Sequence, residues 1–198
     1  MKLATESKRP YRQTARAAAA EANAERIVDV FRARLERMWF DEIRLEEVAA
    51  DAGVTVQTVI RRFGGKDGLL EAATERMAVD IKSGRGLPIG EPAAIIGAVV
   101  ADYETVGDLI MRMLAQEDRH APLRRQCDRG RVEHREWLAT VCAPWLDGLP
   151  PEKARQRLDA LVVATDLYVW KLIRRDMRRP IHELQALMER LFHAALAE

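Results

Sequence analysis

Two cysteines, Cys127 and Cys142, are all that this 198-residue chain holds for cross-linking or redox chemistry. An isolated pair makes no disulfide framework, so a reducing, cytoplasmic setting is the expectation. No apolar run approaches the roughly 18 residues of a membrane span, and no membrane partner is expected. The opening stretch MKLATESKRPYR is polar and basic and lacks the apolar segment of a secretory signal. Charge of one sign is not in excess: Lys plus Arg is 32, Asp plus Glu is 31, and the net is +1. Hydrophobic residues at 48% and charged residues at 32% exclude a wholly disordered chain. There is no P-loop, no Gly-rich dinucleotide fingerprint and no GxSxG elbow. His120, Cys127, His134 and Cys142 lack the close paired spacing of a zinc site. Neither a metal, a cofactor nor a catalytic role is expected.

What is present is charge in blocks. Residues 1–16 carry Lys2, Lys8, Arg9, Arg12 and Arg16 against Glu6, a local +4. Residues 17–60 hold five basic and nine acidic residues, a local −4. Arg61, Arg62 and Lys66 then place +3 within six residues. Residues 83–198 balance at 17 of each sign. A basic arm and a basic cluster in a neutral chain can be a nucleic-acid footprint; a solvated tail and helix face have the same composition.

The apolar spacing reads as helix almost throughout, and no segment alternates long enough to be a strand. A first helix starts in Ala17–Ala20 and carries Ile27, Val30, Phe31, Leu35 and Met38 on one face. Shorter stripes follow: Leu45, Val48, Ala49 and Ala52, then Val56, Val59, Ile60 and Phe63, then Leu69, Leu70, Ala73, Met77 and Ile81. The stretch SGRGLPIGEP, 83–92, is the strongest candidate boundary. Beyond it, Ala93–Tyr103, Val106–Arg119 and a segment from Pro122 to about Cys142 read helical. Lys153–Met177 reads as one long amphipathic helix, and Pro180 suits the first turn of a last one. The expected organisation is all-α. A basic arm occupies 1–20, a three-helix DNA-binding domain 21–82, and a larger helical bundle for dimerisation and ligand binding 83–198.

The informative stretch is LEEVAADAGVTVQTVIRRF, Leu45–Phe63. Two helices that cross steeply need a small residue at their contact, which Ala49 supplies. The tight turn between them needs a residue tolerant of positive φ, and Gly53 is that residue. Thr55 can N-cap the second helix. This spacing predicts a helix-turn-helix whose second helix offers its N-terminal side chains to base edges. Val56 can pack on a thymine methyl and Gln57 can read adenine. Thr58 can donate to a phosphate, and Arg61, one turn beyond Gln57, can reach guanine or phosphate. Arg62 and Lys66 suit the DNA backbone, and Arg44 precedes the first helix of the pair.

The run GVTVQTVIRRFGGKDGLL, Gly53–Leu70, resembles the N-terminal domain of TetR/AcrR-type transcriptional regulators. Gly53, Val54, Thr58, Phe63, Lys66, Leu69 and Leu70 match the family pattern, and Thr55 stands where Ser or Thr is usual. The resemblance covers about 50 residues in detail, and the later helices match only in number and order. It implies a homodimer, a palindromic double-stranded operator, and a small-molecule effector bound in the C-terminal domain, most simply a repressor released by that effector. Three positions depart from the pattern. Ile60 replaces the usual Tyr, Trp39-Phe40 stands where a Gly-aromatic turn is usual, and Arg44 replaces a capping Thr. Ile60 cannot donate a hydrogen bond, which leaves a second reading, a helical ligand-binding protein that has lost specific operator recognition.

In the C-terminal half, Thr165, Tyr168 and Val169 with Leu184, Leu187, Met188 and Leu191 are the candidate dimer interface; the same residues would serve a monomer core. Tyr103, Leu109, Met113, Trp137, Val141, Trp145 and Trp170 are the candidate lining of a site for an apolar or aromatic effector, and each would also serve as plain core. The basic run within Leu123–Arg135 reads as a solvated face.

Overall fold

The computed structural model describes residues 8–197, with side chains from Ala17 onward. Among these residues there are helices and no strands, in agreement with the all-α expectation. The chain forms two compact units, Met1–Glu75 and Arg76–Glu198.

In the first unit, α1 spans Lys8–Leu35, α2 Leu45–Asp51 and α3 Val56–Phe63, and α4 (Lys66–Arg85) begins. Helix α1 starts before Ala17, so residues 8–20 belong to a helix rather than to an arm. Pro10 is no obstacle, because a first-turn residue has no intrahelical partner for its N–H. Ile27, Phe31 and Leu35 are buried as the periodicity requires, together with Val48, Ala49, Val59, Leu69 and Leu70. The turn after α1 manages without glycine. The Glu42 carboxylate accepts the Trp39 N–H at 3.0 Å, and Phe40 is buried as an anchor while Trp39 stays exposed. Between α2 and α3, Gly53 has φ 66° and Val54 N donates to Ala49 O at 2.9 Å.

The change of unit falls inside α4, between Glu75 and Arg76, and not at the stretch 83–92. Leu69, Leu70 and Ala73 are buried in the first unit's part of that helix. Gly86, at φ 57°, follows the end of α4, and Pro92 opens α5 (Pro92–Leu114). That helix is continuous through Glu104 and Thr105 and joins the two segments read separately from sequence. Then come α6 (Ala121–Val141), α7 (Ala143–Leu146), α8 (Pro151–Ala164), α9 (Leu167–Trp170), a π-helical turn (Lys171–Asp176) and α10 (Ile181–Leu196). In this unit α10 packs on α8 and α5, and α6 packs on α5 and α8. The core holds Ile95, Ile96, Val99, Leu138, Val141, Leu161, Trp170, Leu184, Met188 and Phe192.

The single helix expected over Lys153–Met177 is broken at Thr165 and Asp166. Thr165 bonds back to the preceding turn with its side chain, and Asp166 caps the helix that follows, as short polar side chains do. Thr165 Oγ1 donates to Leu161 O at 2.9 Å, and Asp166 Oδ1 accepts Tyr168 N–H at 2.7 Å. Tyr103 donates its hydroxyl to Thr165 O at 3.0 Å, satisfying a carbonyl the break would strand. Past the break, Trp170 lies wholly buried on α5 at Gly107, where an added Cβ would come within 2.6 Å of the indole ring.

Gly107→Ala therefore forces Trp170 off its seat and should cost about 1–3 kcal/mol. Gly130, exposed inside α6 with open space around it, is the contrast. Gly130→Ala should gain about 0.5–1 kcal/mol from helix propensity alone. Urea denaturation of the two variants checks the opposite signs.

Candidate nucleic-acid interface

Helix α3 is held at both ends by its own sequence. Thr55 is extended (φ −87°, ψ 151°) and its hydroxyl oxygen accepts Thr58 N–H at 3.2 Å, the N-cap expected. Thr55 and Thr58 hydroxyls also share a hydrogen bond at 2.9 Å, leaving one of the two protons for an outside acceptor. At the other end Gly64, in the left-handed region at φ 77°, donates its N–H to Ile60 O at 2.8 Å. Val59 is fully buried and sets the inward side. Gln57 and Arg61, one turn apart, consequently face solvent together, Val56 and Thr58 are half-buried, and Ile60 is 40% exposed.

The other basic candidates are placed differently. Arg62 is exposed, but its guanidinium pairs with Glu21 of α1 at 2.7 Å. Lys66 is half-buried with its ammonium 4.6 Å from the Phe40 ring centroid, and burial lowers its pKa. It thus clamps the turn after α1 as well as carrying charge. Arg44 is exposed at the N-terminus of α2 and makes no side-chain cap there. Arg34, not singled out from sequence, ties α1 to α2 through Glu47 and Asp51, both at 2.6 Å. Lys2 lies outside the described residues, as do the side chains of Lys8, Arg9, Arg12 and Arg16, and with them the basic arm's part of the nucleic-acid footprint.

In the second unit the candidate effector residues are core packing. Tyr103, Val141 and Trp170 belong to one buried cluster, Trp137 and Trp145 pack half-buried against it, and Leu109 and Met113 are buried. Of the candidate interface residues, Thr165, Leu184 and Met188 are fully buried within this chain, so they cannot present side chains to a second copy. Tyr168 and Leu191 are exposed, and Val169 and Leu187 are half-buried. Val163, absent from the sequence reading, is 65% exposed on α8. It stands with Leu191 over a shallow groove floored by Ala160, Ala164, Ala194 and Ala195. Its signal was only that it fell off the inward stripe, which distance in sequence does not connect to α10.

Sequence reasoning also missed a buried polar chain. Arg85 pairs with Asp102, both nearly buried, and its guanidinium stacks 4.9 Å above Trp137. Arg85 Nη1 lies 3.0 Å from His134 Nδ1, and His134 Nε2 lies 3.2 Å from Thr165 Oγ1. Arginine only donates, so His134 accepts at Nδ1 and is neutral, with its proton on Nε2 directed to Thr165. Burial, then the Arg85 charge, push this imidazole from 6.5 down to about 3.

The family model for bacterial regulatory proteins of the tetR family matches residues 40–73. The chain is 26% identical over 156 residues to the HTH-type transcriptional regulator BetI of Burkholderia thailandensis, covering 74% of this chain and 79% of that one. A BetI from Paraburkholderia xenovorans is 28% identical over 132 residues, 62% of this chain and 67% of that one. Among solved structures, a transcriptional regulator from Rhodococcus sp. Rha1 has a TM-score of 0.68 at 17% identity, covering 88% of this chain and 96% of that one. A tetR-family transcriptional regulator from Streptomyces coelicolor has a TM-score of 0.66 at 20% identity, covering 89% and 80%. At these identities the structural likeness speaks for the fold. Among the described residues, no helix is long and apolar enough to cross a membrane.

The lowered His134 value gives a signed pH dependence. The unfolded chain takes up the proton first as pH falls, so the stability from neutral His134 is fully present above about 6.5. It is lost at about 1.4 kcal/mol per pH unit below that, down towards pH 3. The melting temperature of the wild type should fall more steeply between pH 7 and pH 5 than that of His134→Gln; parallel curves refute the assignment.

Proposed function

We propose, from the premise that the chain is a TetR-type transcriptional regulator, that it binds a palindromic operator as a homodimer and represses until a small-molecule effector releases it. The observation that carries this reading is the α2–α3 pair, with Gln57 and Arg61 exposed together on the side of α3 opposite buried Val59. A glutamine amide matches the N6 and N7 edge of adenine, and an arginine at the next turn matches guanine or a phosphate. Thr58 and Arg44 are suited to phosphates at the edges of that surface. Arg62 joins them once Glu21 releases it, and Lys66 adds charge from the turn it clamps.

Two half-sites one helical turn apart require two recognition helices, hence two copies. The support for pairing is the apolar strip at Val163 and Leu191, 65% and 39% exposed. The alanines between them allow close approach of a second α8–α10 pair. Tyr168 is exposed and Val169 and Leu187 are half-buried, so these three candidate interface residues keep side-chain surface for such a contact. Burial of such a strip in an isologous contact removes apolar surface from water on both copies at once.

An effector acts by population shift, favouring a dimer whose recognition helices no longer match the half-sites, with a coupling of about 1–3 kcal/mol. The effector class the reading favours is apolar or aromatic; Tyr103 and Trp170 are taken up by the core, and Trp137 and Trp145, half-buried against it, are the aromatic side chains left partly open to such a ligand.

Selection from genomic fragments with the purified protein at physiological salt tests the operator reading; recovery of no specific fragment refutes it. On a recovered site, Gln57→Ala should lose about 1–3 kcal/mol of discrimination at one base pair per half-site. Binding to unrelated DNA should be unchanged, since Gln57 carries no charge. Val163→Arg should sediment as a monomer and bind the full site no better than a half-site. A dimer that survives this change places the interface elsewhere.

A further inference from the structure

We infer that Ile60 is a specificity-determining residue that reads the C5-methyl group of a thymine in the DNA site; this rests on the operator reading above. The surface of α3 divides into rows by the 3.6-residue turn. Val59 marks the buried row and Gln57–Arg61 the row facing away from it. Val56 and Ile60, also four residues apart, form an apolar row beside the Gln57–Arg61 row. The Thr55–Thr58 hydroxyl pair caps the start of the helix.

Ile60 is 40% exposed on a helix whose inward side is already filled by Val59, so its side chain is not needed for the core. Its carbonyl is occupied by Gly64 N–H at 2.8 Å, which leaves only hydrocarbon to offer a ligand. Hydrocarbon cannot hold a phosphate. On base edges in the major groove the apolar group is the thymine methyl. A branched side chain that reaches the groove beside Gln57 therefore gains by covering that methyl and gains less at cytosine, which lacks it. Gln57 and Ile60, three residues apart, then read the two halves of an A·T-bearing step, the amide through hydrogen bonds and the isoleucine through apolar contact.

The test uses the full chain and a DNA site recovered by fragment selection. Each thymine in one half-site is replaced in turn by deoxyuridine, which differs only by loss of the methyl. Binding is measured for wild type, Ile60→Val, Ile60→Ala and Val56→Ala, each first confirmed to melt like the wild type. The expected result is a thymine position at which deoxyuridine weakens wild-type binding about fourfold, the worth of one buried methyl. At that position Ile60→Ala binds both DNAs equally, Ile60→Val keeps part of the difference, and Val56→Ala keeps all of it. The inference is overturned if the wild type is indifferent to deoxyuridine throughout. It is also overturned if Ile60→Ala weakens binding to both DNAs by one factor with the methyl preference intact, which assigns Ile60 to the sugar-phosphate wall. Failure to recover any specific fragment overturns the operator reading and this inference with it.

Discussion

The burial of Val59 is the constraint on which the DNA-facing surface depends. An eight-residue helix has little stability of its own and takes its rotation from whatever it buries. With Val59 inward, Gln57, Ile60 and Arg61 are outward by geometry alone. The end caps keep that rotation from drifting. Thr55 holds the first turn, and Gly64 closes the last in a left-handed conformation that a side chain resists. Gly68 acts differently: a Cβ there would meet the Phe63 carbonyl, so its absence lets the first turn of α4 pack this closely on the end of α3.

The charge distribution takes its meaning from pairing. Net charge near zero does not describe a surface on which Arg34 is bound by Glu47 and Asp51, and Arg62 by Glu21. Those arginines brace helices. Exposed Arg61 is available to an anion at once, whereas Arg62 must first exchange one carboxylate for a phosphate. The exchange costs little at an exposed pair, since such pairs contribute about 1 kcal/mol or less. On the proposed reading, affinity for DNA would depend on a few local charges, and specificity on neutral groups between them.

In the second unit, Thr165 has a comparable place. Its hydroxyl bonds Leu161 O and meets His134, while its carbonyl takes the Tyr103 hydroxyl. These bonds join α5, α6 and the broken helix at one buried point and allow Trp170 to turn onto Gly107. The Arg85–Asp102 pair is joined to the same point through His134, so the last turn of α4 is tied to this core by groups that are neutral or paired. A buried network of this kind is costly if any member is left unsatisfied, which is the reason protonation at His134 is expected to weaken the unit as a whole.

The residues of the helix-turn-helix were legible because their constraints are local. A small residue at a crossing, a glycine at positive φ, a threonine cap and a period of 3.6 all act within about a dozen positions. Ala49, Gly53, Thr55 and Val59 accordingly sit where the pattern put them. Sequence alone also determined the all-helical class, since apolar spacing reports the period directly. Tertiary structure decided what spacing cannot carry. It decided that the helix after Pro151 breaks at Thr165, because a tyrosine 62 residues away satisfies the freed carbonyl. Leu184 and Met188 proved to be core while Leu191 is open, because apolar residues on one stripe differ only in what packs over them. It also placed His134 neutral between Arg85 and Thr165, a contact that spans 49 residues on one side and 31 on the other. Periodicity is a property of one helix, whereas burial and protonation are properties of the neighbours that the fold brings to it.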